Sequence, residues 1–427
     1  MIGGQKKNSR NENECCEPCG GSIASNFTIA LVISLRNVIR REKWRLRPLK
    51  RFVLPLRNLK RRMVALYRAL SGKPLLRIER STIDYLAEPA HGSAIQVFPA
   101  EPVGTLPHPF ENKGSATDLS EPAYVFELND IDFWGRYGGS VVTSGNRFLA
   151  DLSPEVWGID NHAIFSTFRL PKPRALHGRV AICVTPEAPR NYYHWVVDLL
   201  PRVALVKQVA GGFGDFAQIL INGSAALYEE ASLTELGVPL NKVLYVDSRS
   251  RIRIANATIP SMDHSSKIVA PWKIRALREI RGAVADGNRS TPKRIYISRR
   301  RAAVRRILNE VELTPLLEES GFTLVELETV PWTEQVRFFS NADVVLAPHG
   351  AALANIAFCR PNSLIAEIGT RAGFQEFYWR LASSASLRYR LIEAQPRVTP
   401  QAESRRAVEN EDMIVDERTL NDFLRAL

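Results

Sequence analysis

The charge of this 427-residue chain is concentrated at one end. Residues 1–80 hold 19 Lys and Arg against 5 Asp and Glu, whereas residues 81–427 hold 38 basic and 40 acidic residues. The near-neutral body argues against a fold that binds nucleic acid over its whole surface. With 45% hydrophobic residues, the chain is long enough for two or three globular domains.

Residues 1–80 are predicted to be a basic amphipathic arm. The apolar segment 27–35 is too short to span a bilayer and begins too late for a standard signal peptide. Between Arg36 and Arg68, 13 Lys and Arg and a single acid alternate with apolar residues. This mixture favours an anionic membrane surface; a solvated tail or a weak nucleic-acid contact is the alternative. The Cys residues at 15, 16 and 19 have no His cluster beside them, and we expect no zinc site.

Residues 81–265 are predicted to form an N-terminal α/β domain. After an irregular, Pro-rich entry, strands are predicted at 94–98, 124–128, 140–143, 180–185, 218–221, 243–246 and 252–259. Helices are predicted at 191–199, with Asn191 as a possible cap and a break or kink at Pro201, and at 225–236. Because strands and helices alternate, we expect a parallel sheet covered by helices.

Residues 266–400 show the same alternation and predict a second α/β domain. Its predicted helices are 271–285, 310–320, 333–341 and 374–385, and its predicted strands are 294–298, 322–327, 343–347, 363–368 and 389–392. Residues 401–427 form a tail that ends in a helix from 416, with Asp416 as a possible N-cap. Ligands are expected at the carboxyl ends of the strands, in a cleft between the two domains.

The stretch 341–367 combines a buried strand, the turn Pro348-His349-Gly350, a helix of small residues and a second buried strand. A Gly at such a corner leaves backbone N–H groups open at the helix N-terminus, where a phosphate can bind. His349 can add a proton or a hydrogen bond. The alternative is that Gly350 only permits the turn and His349 only caps it.

His194 and Asp198 lie four residues apart in a predicted helix and therefore share a face. A His beside a carboxylate is a plausible general base for an acceptor hydroxyl. The alternative is a capping His and an Asp that pairs with Arg202. Glu187 is a second candidate for the base.

Five Arg residues follow the strand at 294–298. Arg299 comes directly after it, where its guanidinium can grip a phosphate, and Arg300, Arg301, Arg305 and Arg306 follow closely. The alternative is a solvated basic loop. No D-x-D occurs at a strand end in this region, so we expect no site for a divalent cation.

Several of these segments together resemble glycosyltransferase family 61, which includes bacterial capsular-polysaccharide transferases. The matching pieces are N-Y-Y-H-W-V-V-D-L-L-P-R at 191–202, R-I-Y-I-S-R-R at 294–300, N-E at 309–310, A-D-V-V-L-A-P-H-G-A-A-L-A-N at 342–355 and A-E-I at 366–368. The resemblance covers residues 177–395. The turn departs from the usual family pattern at Pro348 and Ala352.

The resemblance implies a GT-B-like fold, in which two Rossmann-like domains face a cleft. It implies sugar transfer with inversion from a nucleotide-sugar donor to a glycan or lipid-linked acceptor, without a metal or another cofactor. The expected location is cytoplasmic, with a peripheral place on the membrane. The expected catalytic residues are His194, Asp198 and His349. The expected donor-binding residues are Arg299, Arg305, His349, Gly350, Ala351, Asn355 and Glu367, with Glu367 a candidate acceptor of ribose hydroxyl groups.

Two other classes of protein are alternatives. A Rossmann-type oxidoreductase is disfavoured because no G-x-G-x-x-G follows the first strand. A non-catalytic protein that binds nucleic acid or a membrane through its basic arm is the remaining alternative, although no nucleic-acid partner is expected.

Overall fold

The computed structural model describes residues 50–72, 75–104, 106–110, 118–155, 158–262, 268–285, 291–397 and 408–427. The chain divides into a unit of Met1–Asn58 and a compact unit of Leu59–Leu427. The apolar segment 27–35, the three N-terminal Cys residues and most of the predicted arm lie outside the described residues. No helix in the described ranges has both the length and the apolar composition needed to cross a bilayer.

The first half of the larger unit is built on a mixed sheet. The described strands of this half are β1 (Arg77–Glu79), β2 (Gly92–Phe98), β3 (Pro102–Val103), β4 (Asp118–Leu119), β5 (Ala123–Trp134), β6 (Ser140–Thr143), β7 (Arg147–Leu149), β8 (Arg174–Ile182), β9 (Phe216–Ile221), β10 (Val243–Tyr245) and β11 (Arg251–Pro260). Nine of them form one sheet in the order β1-β7-β6-β5-β11-β8-β9-β10, and β2 pairs with the first half of β5. Strands β3 and β4 pair only with each other.

The expectation of a parallel sheet is correct for only part of this first sheet. Strands β11, β8, β9 and β10 run parallel. Strand β5 instead runs antiparallel to β2, β6 and β11. Strands β5, β6 and β7 follow one another through tight turns that contain Tyr137 and Asn146, both with positive φ. Such short connections join antiparallel strands, because a parallel pair needs a long crossover.

The second half is built on a fully parallel sheet, as predicted. Its strands are β12 (Arg294–Ile297), β13 (Phe322–Val325), β14 (Val344–Pro348), β15 (Leu364–Gly369) and β16 (Arg388–Glu393). Their order is β13-β12-β14-β15-β16. The strand order therefore reverses at β12: β13 is added on one side of it, and β14, β15 and β16 are added on the other. In open α/β sheets, ligands bind at the carboxyl ends of the strands at this switch point. Arg299 follows β12 and His349 follows β14, so both lie at that edge.

The described α-helices are α1 (Lys50–Leu70), α2 (Thr82–Tyr85), α3 (Tyr192–His194), α4 (Leu200–Ala210), α5 (Leu227–Glu235), α6 (Pro271–Ala285), α7 (Glu310–Glu319), α8 (Trp332–Asn341), α9 (Phe377–Ser384) and α10 (Glu417–Leu424). The segment after the His349-Gly350 turn, Ala351–Phe358, is a 3-10 helix.

The helix predicted at 191–199 does not end at Pro201. Helix α3 passes into a π-helical turn, Trp195–Leu199, which continues into α4. Pro201 stands in the first turn of α4, directly after the π-helical turn, and the helix continues past it. Trp195 is fully buried and its indole donates a 2.9 Å hydrogen bond to Ser232, so it belongs to the core.

One apolar core joins the two sheets. Its buried side chains include Trp195 and Leu200 of the first half, Leu277 of α6, and Val345 and Leu353 of the second half. The described chain is thus an α/β protein with two sheets in one compact unit. The GT-B-like division into two domains facing a cleft, and the boundaries expected at 80, 265 and 400, stay predictions.

The last residues of the chain, 408–427, pack on the second sheet. Strand β17 (Gln395–Pro396) pairs with β18 (Met413–Ile414). Phe423 of α10 is fully buried in a cluster with Met413. Asp416 caps α10 as predicted, because its carboxylate accepts a 2.9 Å hydrogen bond from the Thr419 N–H.

Candidate active site

The first cluster of polar side chains lies where α3 passes into the π turn. His194 Nδ1 lies 2.6 Å from Asp198 Oδ2, so the predicted pair forms. Asn191 caps α3, as predicted, by accepting a 3.0 Å hydrogen bond from the Tyr193 N–H. The second oxygen of Asp198 accepts a 3.1 Å hydrogen bond from Lys273 Nζ on α6. Lys273, Asp198 and His194 thus form a connected triad.

The electrostatics of this triad fix which atoms carry protons. Burial raises the pKa of Asp198, but the Lys273 ammonium and the hydrogen bond from His194 outweigh it and lower the pKa from 3.8 to about 2. The carboxylate is ionised near neutral pH and can only accept hydrogen bonds. A neutral His194 therefore carries its proton on Nδ1, which leaves the Nε2 lone pair free to accept a proton from a substrate.

The triad lines a cavity of about 210 Å³. Glu187, the second candidate for the base, lines the same cavity, and its carboxylate accepts a 2.7 Å hydrogen bond from the Tyr137 hydroxyl. Arg202 is not the partner of Asp198. Its guanidinium donates instead to backbone carbonyl groups, including that of Pro260 at 2.7 Å. Asp198 pairs with Lys273 in place of Arg202.

The second cluster lies at the carboxyl edge of the parallel sheet. His349 follows β14, and its Nδ1 forms a hydrogen bond with Glu367 of β15. The other Glu367 oxygen accepts a 2.7 Å hydrogen bond from the Tyr389 hydroxyl on β16. Glu367 is 1% exposed and His349 is 7% exposed. This geometry supports a role for Glu367 in orienting His349, whereas its predicted contact with ribose stays a prediction.

Arg299 lies directly against the turn that follows β14. A Cβ atom at Gly350 would overlap the Arg299 guanidinium, so only Gly allows this approach. The φ of Gly350 is 174°, an extended conformation open to any residue, and the requirement is therefore for space alone. One terminal nitrogen of the Arg299 guanidinium donates a 3.1 Å hydrogen bond to the Val304 carbonyl.

The five Arg residues of this region divide into two groups. Arg300 and Arg301 pair with the carboxylate of Glu326, and Arg306 pairs with Asp412. The charges of these three Arg side chains are thus neutralised by carboxylates of the protein itself.

Arg299 and Arg305 form no ion pair with any residue that the structure describes. The Nε of each is buried without a hydrogen-bond partner in that part of the chain. Burial and then the nearby charge of Arg305 lower the pKa of Arg299. The charge of Glu328 acts on Arg299 in the opposite direction, but among the described residues Glu328 forms no ion pair with it. Two neighbouring cations that form no ion pair among the described residues favour a site for a negatively charged ligand.

The comparison with protein families bears directly on these two clusters. Residues 192–366 match the family model described as Glycosyltransferase 61. This match supports the assignment of residues 192–366 to glycosyltransferase family 61. The match includes the Lys273–Asp198–His194 triad and His349, and it ends one residue before Glu367. No curated protein matches the chain. The family supports glycosyltransferase activity in general.

Aromatic rings lie between the two polar clusters. The ring centroid of Tyr193 lies 5.4 Å from that of His194 and 5.8 Å from that of Tyr378. The ring of Tyr378 lies 5.0 Å from that of His349. A chain of ring contacts through Tyr193 and Tyr378 therefore links His194 with His349.

Two other residues predicted to bind the donor have different surroundings. Ala351 begins the 3-10 helix after Gly350, and no side chain caps the start of this helix among the described residues. Asn355 is fully buried: its amide oxygen accepts a 2.6 Å hydrogen bond from the Tyr192 hydroxyl, and its amide nitrogen donates to Gln335 at 3.2 Å. The structure thus places Asn355 in a network that holds the two halves together, and its contact with the donor stays a prediction.

Residues 408–415, here called the C-terminal strap, lie beside the second cluster. Glu409, Glu411 and Met413 of the strap line a cavity of about 10 Å³ together with His349 and Arg305. This volume accommodates about one water molecule. The strap is held by the Arg306–Asp412 pair and by a 2.8 Å hydrogen bond from Asn309 to the Val415 carbonyl.

Three side chains of the site were not predicted from the sequence. Lys273 had one signal, a lysine within the apolar run V-A-P-W-K-I, and it is only 4% exposed. Tyr378 and Tyr389 had none, because aromatic residues in a helix and a strand are ordinary core residues. Within the described residues, no group of three or more His, Cys, Asp or Glu side chains is arranged to hold a metal ion. Metal independence stays a prediction.

Proposed function

We propose that this protein transfers a sugar, with inversion, from a nucleotide-sugar donor to a hydroxyl group of a glycan or a lipid-linked acceptor. The proposed process is the synthesis of surface or capsular polysaccharide at the cytoplasmic face of a membrane. The proposal includes a GT-B-like arrangement, with the donor bound by the second half of the chain, and chemistry without a metal or another cofactor.

The observation that carries the donor side is the pair of cations without carboxylate partners among the described residues, Arg299 and Arg305. They lie at the switch point of the parallel sheet, where nucleotide phosphates bind in other open α/β sheets. A diphosphate between them would satisfy their buried N–H groups and relieve the repulsion between their charges. The Arg299 guanidinium occupies the space where a side chain at position 350 would lie, and Gly350 therefore allows it to approach the turn.

The chemistry would then be divided between the two clusters. His194 Nε2 takes the proton of the acceptor hydroxyl while the acceptor oxygen forms a bond to the anomeric carbon of the sugar. The bond from that carbon to the phosphate oxygen breaks, and the leaving diphosphate carries away the electron pair. Arg299 and His349 stabilise its developing charge. Asp198, held ionised by Lys273, stabilises the imidazolium form of His194.

Glu187 is the competing candidate for the base, because it lines the same cavity as His194. Its carboxylate already accepts a hydrogen bond from the Tyr137 hydroxyl. Burial and this hydrogen bond raise the pKa of Tyr137, so the hydroxyl keeps its proton and remains a donor to Glu187. The Nε2 of His194 has no such donor beside it among the described residues. This difference favours His194.

A thermal-shift screen of UDP, GDP, CDP, ADP and their sugars tests the proposal on the full chain, because a ligand of the native state raises its melting temperature. We expect one nucleoside diphosphate to raise it, and we expect Arg299→Gln to abolish the shift. The matched control is Arg300→Gln, whose guanidinium is 58% exposed and paired with Glu326, and it should keep the shift. Equal shifts for the two variants would remove Arg299 from the donor site. A chain that none of these ligands stabilises would refute the proposed donor class.

A further inference from the structure

Helix α1 carries a row of large apolar side chains on its outer face. Leu59, Met63, Leu66 and Leu70 are 55%, 52%, 60% and 80% exposed. Their spacing of four, three and four residues places them on one face of the helix. Contiguous apolar surface of this kind is uncommon on a soluble monomer and marks a site of interaction. These four residues are called the apolar stripe below.

The opposite face of the same helix is fastened to the body of the protein. Val64 is 1% exposed. The ring of Tyr67 lies edge-on to that of Phe168 at 5.8 Å, and Arg68 donates a 3.1 Å hydrogen bond to the Ile164 carbonyl. Because these contacts fix the rotation of the helix, the apolar stripe has to face away from the body.

The charge of the helix identifies its partner. Its sequence, K-R-F-V-L-P-L-R-N-L-K-R-R-M-V-A-L-Y-R-A-L, contains seven Lys and Arg and no acidic residue. Lys60 and Arg62 are both exposed and flank the apolar stripe on either side. In the sequence, the same apolar spacing extends back through Leu56 and Phe52. A complementary partner therefore has an apolar interior beneath a negatively charged surface.

We propose that the apolar stripe docks this protein on an anionic phospholipid bilayer. The four apolar side chains would enter the boundary between head groups and acyl chains, with Lys60 and Arg62 at the level of the head groups. A second copy of the chain is a poorer partner, because pairing two such helices would bring two sets of seven cations together without an acid. The inference depends on α1 alone and does not rest on the identity of the donor.

Vesicle flotation of the full chain tests this docking surface. One set of vesicles contains phosphatidylcholine, and the other contains phosphatidylcholine and phosphatidylglycerol at about 7:3. We expect binding to the anionic vesicles only, with loss of binding in high salt because screening weakens the attraction. Met63→Gln/Leu66→Gln should lower the partition coefficient about tenfold. Lys60→Gln and Arg62→Gln should each lower it about fivefold at low salt.

The matched control is Val311→Gln, which changes an aliphatic side chain that is 81% exposed on helix α7. It should bind vesicles like the wild-type chain. All changed positions are exposed, so we expect unchanged melting temperatures, which the same samples report. Equal binding to neutral and anionic vesicles would overturn the proposal, as would wild-type binding by Met63→Gln/Leu66→Gln. A wild-type dimer that this double variant converts to a monomer, with vesicle binding retained, would identify a second copy as the partner instead.

Discussion

Replacing Asp198 by Asn changes one oxygen of the triad into an amide nitrogen, and the structure predicts which one. The Lys273 ammonium can only donate hydrogen bonds, so the oxygen of the new amide has to face it. The amide NH₂ group then faces His194 Nδ1 in place of the oxygen that now lies 2.6 Å away. An NH₂ group requires an acceptor there, and the proton of His194 has to move to Nε2.

This change of tautomer removes the base without disturbing the donor site. Loss of a positioned general base typically lowers a rate by about 10²–10⁴-fold. Asp198→Asn should therefore lower turnover by about that factor, while the dissociation constant of the nucleoside diphosphate stays within about twofold of the wild-type value. Turnover is measured as the release of nucleoside diphosphate from the nucleotide-sugar that the thermal-shift screen identifies. The dissociation constant of the nucleoside diphosphate is measured by calorimetry.

A second substitution makes the reasoning specific to the triad. In Asp198→Asn/Lys273→Met, no ammonium holds the amide oxygen, and the amide can rotate so that its oxygen again accepts from His194 Nδ1. We therefore expect the double variant to be more active than Asp198→Asn alone, although Lys273→Met by itself lowers activity. Contacting residues in one network show this kind of non-additivity.

Two results would refute this account. One is an Asp198→Asn variant with wild-type turnover, which would take the pair out of the chemistry and favour Glu187 as the base. The other is a folded double variant that is less active than both single variants, which would mean that Lys273 acts on the reaction by a route other than the amide orientation. Circular dichroism and the melting temperature establish that each variant is folded.

Four further outcomes follow from the same geometry. Arg299→Ala should weaken the binding of the nucleoside diphosphate by about 1.5–3 kcal/mol in calorimetry, since a charge-assisted hydrogen bond is lost; an unchanged affinity would exclude the contact. Gly350→Ala should weaken it comparably with an unchanged fold, because the added Cβ displaces the guanidinium; tight binding by a folded variant would contradict the crowding argument. His349→Ala should lower donor affinity as well as rate, whereas His194→Ala should lower the rate alone; the division of labour is wrong if His194→Ala loses donor affinity. Finally, the lowered pKa of Asp198, about 2, stabilises the fold above the unfolded pKa of 3.8 by roughly 2 kcal/mol, and this contribution is lost as pH falls through 2. Urea unfolding should show the difference between wild type and Asp198→Asn shrinking by about 1 kcal/mol between pH 6 and pH 3, and a pH-independent difference would count against the lowered pKa.

The parallel sheet of the second half could be predicted because its pattern is local. Each strand there is a short apolar run bounded by a Gly, a Pro or a charged turn, and each alternates with a helix. The observed bounds of strands such as Arg294–Ile297 and Leu364–Gly369 differ from the predicted ones by no more than one residue at either end. The antiparallel part of the first sheet could not be predicted in this way, because local periodicity does not specify which strands pair.

The candidate site was predictable where its residues are close in sequence and not where they are distant. The spacing of His194 and Asp198 places them on one face of any helix, and the structure confirms their contact. Their third partner, Lys273, lies 75 residues further along the chain and reaches them only through the packing of α6. The sequence also could not divide the Arg run, because the carboxylates of Glu326 and Asp412 that neutralise three of its members come from other elements.

The apolar core that joins the two sheets limits how the molecule can move during a catalytic cycle. Swinging one sheet away from the other as a rigid body would expose side chains such as Trp195, Leu277 and Leu353, all buried now, at about 25 cal/mol for each Å² of apolar surface. The C-terminal strap is held by polar contacts, by the pairing of β18 with β17 and by the buried side chains of Met413 and Val415. Its displacement would uncover less apolar surface than separation of the two sheets, because it is a much shorter segment. Access of a nucleotide to Arg305 and His349 therefore requires less free energy by a local shift of residues 408–415 than by domain opening. Hydrogen exchange would show this as fast exchange in the strap against slow exchange in the shared core.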